Sequence, residues 1–115
     1  ITSATKTGVT TTYTDIHHGV IKVDKSLKIQ KSDITRDDIK STQTPHCFKY
    51  KTLKKIFSEI DDVDFSKYIS LADMASRLNY EVALVKGSDL NFKITTPDEL
   101  ALFEAIINSK YGNVQ

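Results

Sequence analysis

Asn91-Phe92-Lys93-Ile94-Thr95-Thr96-Pro97-Asp98-Glu99-Leu100 is where the apolar period of the chain changes from two to that of a helix. Phe92 and Ile94 alternate with Lys93 and Thr95, the pattern of a short strand with unlike faces. Thr96 is a good N-cap, Pro97 falls at the first helical position where no amide hydrogen is missed, and Glu99 can close a capping box. Asp98 and Glu99 also put negative charge at the positive end of the helix dipole. Leu100, Phe103, Ile106, Ile107 and Lys110 follow at helical spacing, with Leu100, Phe103 and Ile107 expected in the core and Gly112 as the stop. Phe92 and Ile94 should face that core too, which leaves Lys93 on the opposite side, held on a strand before a tightly capped helix. Spacing alone reads Lys93 either as a solvated strand lysine or as a placed cation.

Upstream, Glu81–Lys86 reads as a buried-type strand carrying Val82, Leu84 and Val85, and Gly87-Ser88-Asp89 as its turn. Ser70 caps a helix with Asp73 at N3, and Leu71, Met74, Ala75 and Leu78 form its core face, Met74 as filler. Lys51–Ile60 is an amphipathic helix, with Leu53, Ile56, Phe57 and Ile60 on one face and Lys51, Lys54 and Lys55 as a solvated one. Asp61-Asp62-Val63-Asp64 lacks the pattern of a calcium loop and reads as a plain loop. Val9–Tyr13 is a β-branched strand within a threonine-rich stretch. Val20–Val23 and Leu27–Lys31, joined by Asp24-Lys25-Ser26, read as a β-hairpin, which in isolation needs one face covered. Residues 33–39 are a polar link into Thr42-Gln43-Thr44-Pro45, where Pro45 keeps Thr44 extended. Strands alternating with helices make the class α/β.

A chain of 115 residues fits one domain with a modest core. The formal net charge of +1 offers no field of one sign for nucleic acid or an acidic membrane surface. No apolar run approaches the roughly 20 residues that span a bilayer. His17 and His18 point to opposite faces of a strand, as do His46 and Cys47, so a zinc site is not expected. A single cysteine fits a reducing compartment. His46 reads as a hydrogen-bonded, buried histidine, since no nucleophile lies near it in sequence.

Three segments in order carry a resemblance: "TQTPHCFKYKTLKK", "NYEVALVKGSDLNFKIT" and "NFKITTPDELALFEAI". The chain resembles, over roughly residues 9–110, the 2-C-methyl-D-erythritol 4-phosphate cytidylyltransferase family and its ribitol-5-phosphate relatives. The resemblance implies the C-terminal part of a Rossmann-like nucleotidyltransferase sheet, with a projecting hairpin arm at about 14–34 that interlocks with a second subunit. The glycine-rich nucleotide loop and the acidic metal ligand would then lie in an absent N-terminal half, consistent with a start at Ile1 that is not methionine. Tyr13-Thr14-Asp15-Ile16 is the nearest match to a motif that reaches the substrate phosphate, but Thr14 stands where a basic residue is usual and Ile16 where a threonine is. Arg36 and Ile39 match the approach to the Thr-Pro segment, and His46 replaces a glutamine. Ile69, Ser70 and Leu71 stand where the family writes Thr-Asp-Asp or Thr-Asp-Glu, so the cap survives and the threonine hydroxyl does not.

The implied activity is transfer of CMP from CTP to a small polyol phosphate, with Mg²⁺ and release of pyrophosphate. The changes at Thr14, Ile16 and Ile69 tilt the acceptor away from methylerythritol phosphate. Lys93 is the expected catalytic cation, and Thr14, Asp15 and Ser70 join it in binding substrate, with the hairpin base of a second subunit completing the pocket. The expected partners are CTP, a polyol phosphate and a second copy of the chain, in the cytoplasm or a plastid-type organelle. A non-catalytic dimerisation or binding fragment is the alternative, and this length by itself is not expected to turn over.

Overall fold

The computed structural model describes residues 1–60 and 65–110, with Lys110 described by its backbone alone. The expected loop at 61–64 and the stop at Gly112 lie outside the described residues. In chain order the elements are α1 (Thr2–Thr7), β1 (Val9–Asp15), β2 (Lys22–Val23), β3 (Ile29–Gln30), β4 (Lys40–Phe48), α2 (Tyr50–Ser58), α3 (Leu71–Arg77), β5 (Val82–Lys86) and α4 (Pro97–Lys110), with 3₁₀ turns at Arg36–Asp38 and Phe65–Lys67. The class is α/β, as expected.

β1 is the central strand of a mixed sheet ordered β4-β1-β5. It pairs antiparallel with β4, from Val9 opposite Phe48 to Asp15 opposite Lys40, and parallel with β5, from Val9 opposite Val82 to Tyr13 opposite Lys86. The β1–β4 register slips between Thr11 and Thr12, leaving Thr44 and Pro45 as extra residues on β4, with a cis Thr44–Pro45 peptide. A sheet tolerates proline at such a bulge on an edge strand. The Gln43 carbonyl at the bulge accepts the hydroxyls of Thr12 (3.0 Å) and Thr11 (3.3 Å). The threonine run thus does more than favour extended backbone.

The core gathers Val9, Ile56, Met74 and Ala75, flanked by Phe48, Ile60, Tyr68, Leu78, Tyr80 and Val82. α2 and α3 bring Ile56 and Met74 onto β1, as their apolar spacing requires. Ser70 Oγ accepts the Asp73 amide at 3.1 Å, so the expected cap forms, and Asn79 at φ 64° ends the helix in the left-handed region that asparagine tolerates. α1 packs Ala4 against the sheet, and Gly8 at φ 90° terminates it, with Thr52 too close to admit a Cβ. The sequence reading contained neither α1 nor β4.

Several expectations are corrected. Residues 92–95 form no strand: they run beside the sheet without a ladder partner among the described residues, because the sheet ends at β5. Lys93 is therefore on a loop, and Ile94 is exposed. α4 has its expected start but not its expected burial. Phe103 is 40% exposed, and Leu100 and Ile107 are exposed as well, since apolar residues surround this helix and no described element covers it. Among the described residues β5 is an edge strand paired on one side alone, with Leu84 56% exposed and Val85 also exposed, not a buried one. Phe57 and Leu71 sit at the rim of the core, exposed. The hairpin exists, with a ladder of only Lys22–Val23 against Ile29–Gln30. Its turn is held by Asp24, whose carboxylate accepts the amides of Ser26 (2.8 Å) and Lys28 (3.0 Å). The radius of gyration is 17.7 Å, against about 13 Å for a compact chain of this length. The exposed arm and α4 fit that excess.

Ile56 is the test of this core. Ile56→Ala should cost about 2–5 kcal/mol in urea melts, because a fully buried side chain leaves a cavity. A loss under about 1 kcal/mol would show that α2 does not seat on β1.

Candidate functional site

Lys93 is placed by side-chain amides instead of a strand ladder. Gln43 Nε2 donates to the carbonyls of Ser88 (2.8 Å) and Asn91 (2.9 Å), and Asn91 Nδ2 returns a bond to the Thr44 carbonyl (2.6 Å). The Gly87 amide donates to the Tyr13 carbonyl at 2.7 Å, and a Cβ at Gly87 would collide with Gln43 Oε1. Residues 87–91 are thereby sewn to β1 and β4. The other end of the loop is fixed by α4. Glu99 Oε2 accepts the amides of Thr95 (2.6 Å) and Thr96 (2.8 Å) and the Thr95 hydroxyl (2.7 Å), while Thr96 Oγ1 accepts the Glu99 amide (3.3 Å). The capping box forms as expected. These donors, the Thr95 hydroxyl foremost, hold the Glu99 carboxyl at a pKa of about 2.

Between these anchors lies a cavity of about 500 Å³, lined by Thr14, Ser70 and Lys93 together with Gln43, His46 and Glu99 among others. Three of the four expected site residues, from β1, the α3 cap and the 87–96 loop, thus converge in one chain. Lys93 is exposed and has no hydrogen-bond or ion-pair partner among the described residues, and it is the one lysine or arginine in the lining. Ser70 Oγ accepts in its cap, which leaves its hydroxyl hydrogen to donate. His46 is half-buried and bonded through Nδ1 to Thr11 Oγ1 at 2.7 Å, as a hydrogen-bonded histidine should be. It also lines the cavity, which its sequence neighbours did not foretell.

Asp15, the fourth, lines a second cavity of about 270 Å³ that shares Thr14 and Asp89 with the first. Lys40 Nζ from β4 meets Asp15 Oδ1 at 2.7 Å, and Lys86 Nζ from β5 meets Oδ2 at 3.0 Å. The Lys40 bond is the main cause that lowers the Asp15 pKa to about 2, and the carboxylate in turn raises the pKa of both lysines. Neither lysine was singled out from sequence. Only the register, which sets Lys40 opposite Asp15 and ends β5 on Lys86, reveals them. Among the described residues no three His, Cys, Asp or Glu side chains come together as a cluster that could hold a metal ion. No helix among them is long and apolar enough to cross a membrane.

Comparison with known proteins adds the following. The family described as "IspD: 2-C-methyl-D-erythritol 4-phosphate cytidylyltransferase" matches residues 2–109. A 2-C-methyl-D-erythritol 4-phosphate cytidylyltransferase from Rubrobacter xylanophilus is 32% identical over 90 residues, 78% of this chain and 38% of the relative. A ribitol-5-phosphate cytidylyltransferase from Lacticaseibacillus paracasei is 30% identical over 96 residues, 78% of this chain and 39% of the relative. The solved structure of the Francisella tularensis 2-C-methyl-D-erythritol 4-phosphate cytidylyltransferase superposes with a TM-score of 0.75 at 24% identity, over 90% of this chain and 48% of that one. The chain thus spans about two fifths of the length of these curated relatives and about half of that solved chain.

Both depressed carboxylates give stability that is present above the ordinary carboxylate range near about pH 4 and lost as pH falls through about 2. The far-UV helical signal should therefore weaken between about pH 4 and 2. In Glu99→Gln, part of α4 should already be lost at neutral pH and the acid limb should flatten; an unchanged acid limb would mean that the cap does not hold α4.

Proposed function

The chain belongs to the 2-C-methyl-D-erythritol 4-phosphate cytidylyltransferase family, and on that premise we propose that its cavity binds the polyol phosphate in a transfer of CMP from CTP. In this reaction an oxygen of the polyol phosphate attacks the α-phosphorus of CTP. A phosphorus–oxygen bond forms, the bond to the β-phosphate bridge breaks, and pyrophosphate leaves with its electron pair. Such a transfer depends on alignment and charge neutralisation, and it needs little covalent chemistry from the protein.

One observation carries this reading: an unpartnered Lys93 faces a polar cavity that also gathers Thr14 and Ser70 from distant segments. Lys93 holds the attacking phosphate as an ammonium point charge, and its charge is worth more as the transferring phosphoryl group develops its own. Ser70 donates its hydroxyl hydrogen, and Thr14 closes the floor. We propose that the Mg²⁺ for such a transfer and the nucleotide are held by groups other than these. We infer accordingly that this length of chain does not turn over by itself. Lys93→Met in the full-length protein should leave Tm nearly unchanged and lower kcat/KM for the polyol phosphate by about a hundredfold, roughly 2.7 kcal/mol of transition-state stabilisation. An unstable protein of normal specific activity would make Lys93 a packing residue.

The arm supports a homodimer. Val20, Ile21, Ile29 and Ile34 are exposed around a groove of about 420 Å³, and a lone hairpin in water is marginal. Such a surface needs a cover, which we assign to a second copy. Deleting residues 20–31 should give a monomer with an otherwise intact far-UV spectrum; sedimentation as an unchanged dimer would remove the arm from the interface.

A further inference from the structure

We propose that the 270 Å³ cavity beside Asp15 continues the acceptor pocket and reads the hydroxylated end of an unbranched polyol phosphate, with Lys86 as the specificity-determining donor. This rests on the polyol phosphate reading of the larger cavity. The two cavities share Thr14 and Asp89, so a chain-like acceptor held by its phosphate at Lys93 can extend from one into the other. The smaller is lined by Thr14, Asp15, His17, Lys86, Ser88 and Asp89 with Gly87, and no hydrocarbon side chain is among them. A methyl branch placed there would displace water from polar groups and meet little beyond the Thr14 methyl and the Lys86 stem, whereas a hydroxyl finds donors and acceptors together.

The ion pairs leave capacity for such a ligand. Each Asp15 oxygen holds one ammonium group, and a carboxylate oxygen has room for a second donor. Lys86 uses one ammonium hydrogen on Asp15 and keeps two. Lys40 is not in the cavity wall, so it fixes the carboxylate without touching the acceptor and is a positioning residue. At the opposite rim His17 Nε2 lies 3.1 Å from Asp89 Oδ2. The cavity wall holds one lysine against two carboxylates, so this cavity does not compete with Lys93 for the phosphate dianion. Both Lys86 and Asp15 are partly exposed, so substitution at Lys86 removes a donor without opening a buried hole.

The test assays the full-length protein for CTP-dependent pyrophosphate release with ribitol 5-phosphate and 2-C-methyl-D-erythritol 4-phosphate side by side. Ribitol 5-phosphate should have the higher kcat/KM. Lys86→Met should raise its KM about tenfold, the size of one charge-assisted hydrogen bond, with KM for CTP unmoved. Lys86→Arg should recover most of the loss. An unmoved KM in Lys86→Met, or a preference for the methyl-branched acceptor, would overturn the inference while leaving the polyol phosphate reading in place. Turnover with neither acceptor would overturn that reading itself, and this inference with it.

Discussion

The Gln43 carboxamide is the constraint on which the site depends. Its two Nε2 bonds, to carbonyls on either side of the turn at 88–91, also fix which way the amide points, since only a donor can serve both. Its Oε1 is buried with no partner among the described residues. Two neutral hydrogen bonds contribute about 1 kcal/mol each, and an unsatisfied buried carbonyl costs about 1–3 kcal/mol. The balance is near zero. The clamp therefore adds little stability; its effect is to choose one path for the loop. Gln43 sits beside the bulge at Thr44-Pro45, and the path is open to it because Gly87 has no Cβ to obstruct it.

What the sequence made legible was local. The Thr96–Glu99 and Ser70–Asp73 caps were readable because each needs residues only three apart, and both formed. The helical stripes of α2 and α3 were readable for the same reason, and Ile56 and Met74 are buried. β4 was not, because Lys40–Phe48 is polar, lacks alternation and contains a proline; what makes it a strand is β1 beside it. α1 was hidden by threonines that disfavour helix, whose hydroxyls here bond back to carbonyls of their own turn, as Thr5 does to Thr2 at 2.7 Å. The alternation at 92–95 was real but had no strand to pair with. In α4 and β5 the apolar content called for burial, but local pattern does not fix where the covering element lies.

The candidate site divides along the same line. Lys93, Thr14 and Ser70 were marked by local pattern and resemblance, and the fold brings them around one cavity. Lys40 and Lys86 were invisible because they stand 25 and 71 residues from Asp15, and only strand register makes them neighbours. The change at Thr14, where a basic residue is usual, takes on another meaning in this geometry. Positive charge is present near that position, but it comes from the two flanking strands and is already engaged by a carboxylate.

That engagement separates two kinds of lysine. Lys40 and Lys86 are both held by Asp15, whose low pKa keeps it ionised throughout the neutral range, so each ammonium already has a carboxylate partner. Lys93 has no such partner among the described residues. Of the two carboxylates in its cavity wall, Asp89 lies against His17, and Glu99 accepts the amides and hydroxyl at the start of α4 through Oε2. A free ammonium beside a free carboxylate would collapse into an ion pair, and an incoming phosphate would have to break it. Because Glu99 is turned to the helix cap and Asp89 to His17, Lys93 can meet an anion without first losing a partner among the described residues. The capping box thus has a second consequence beyond starting α4: it keeps the cation of the site available.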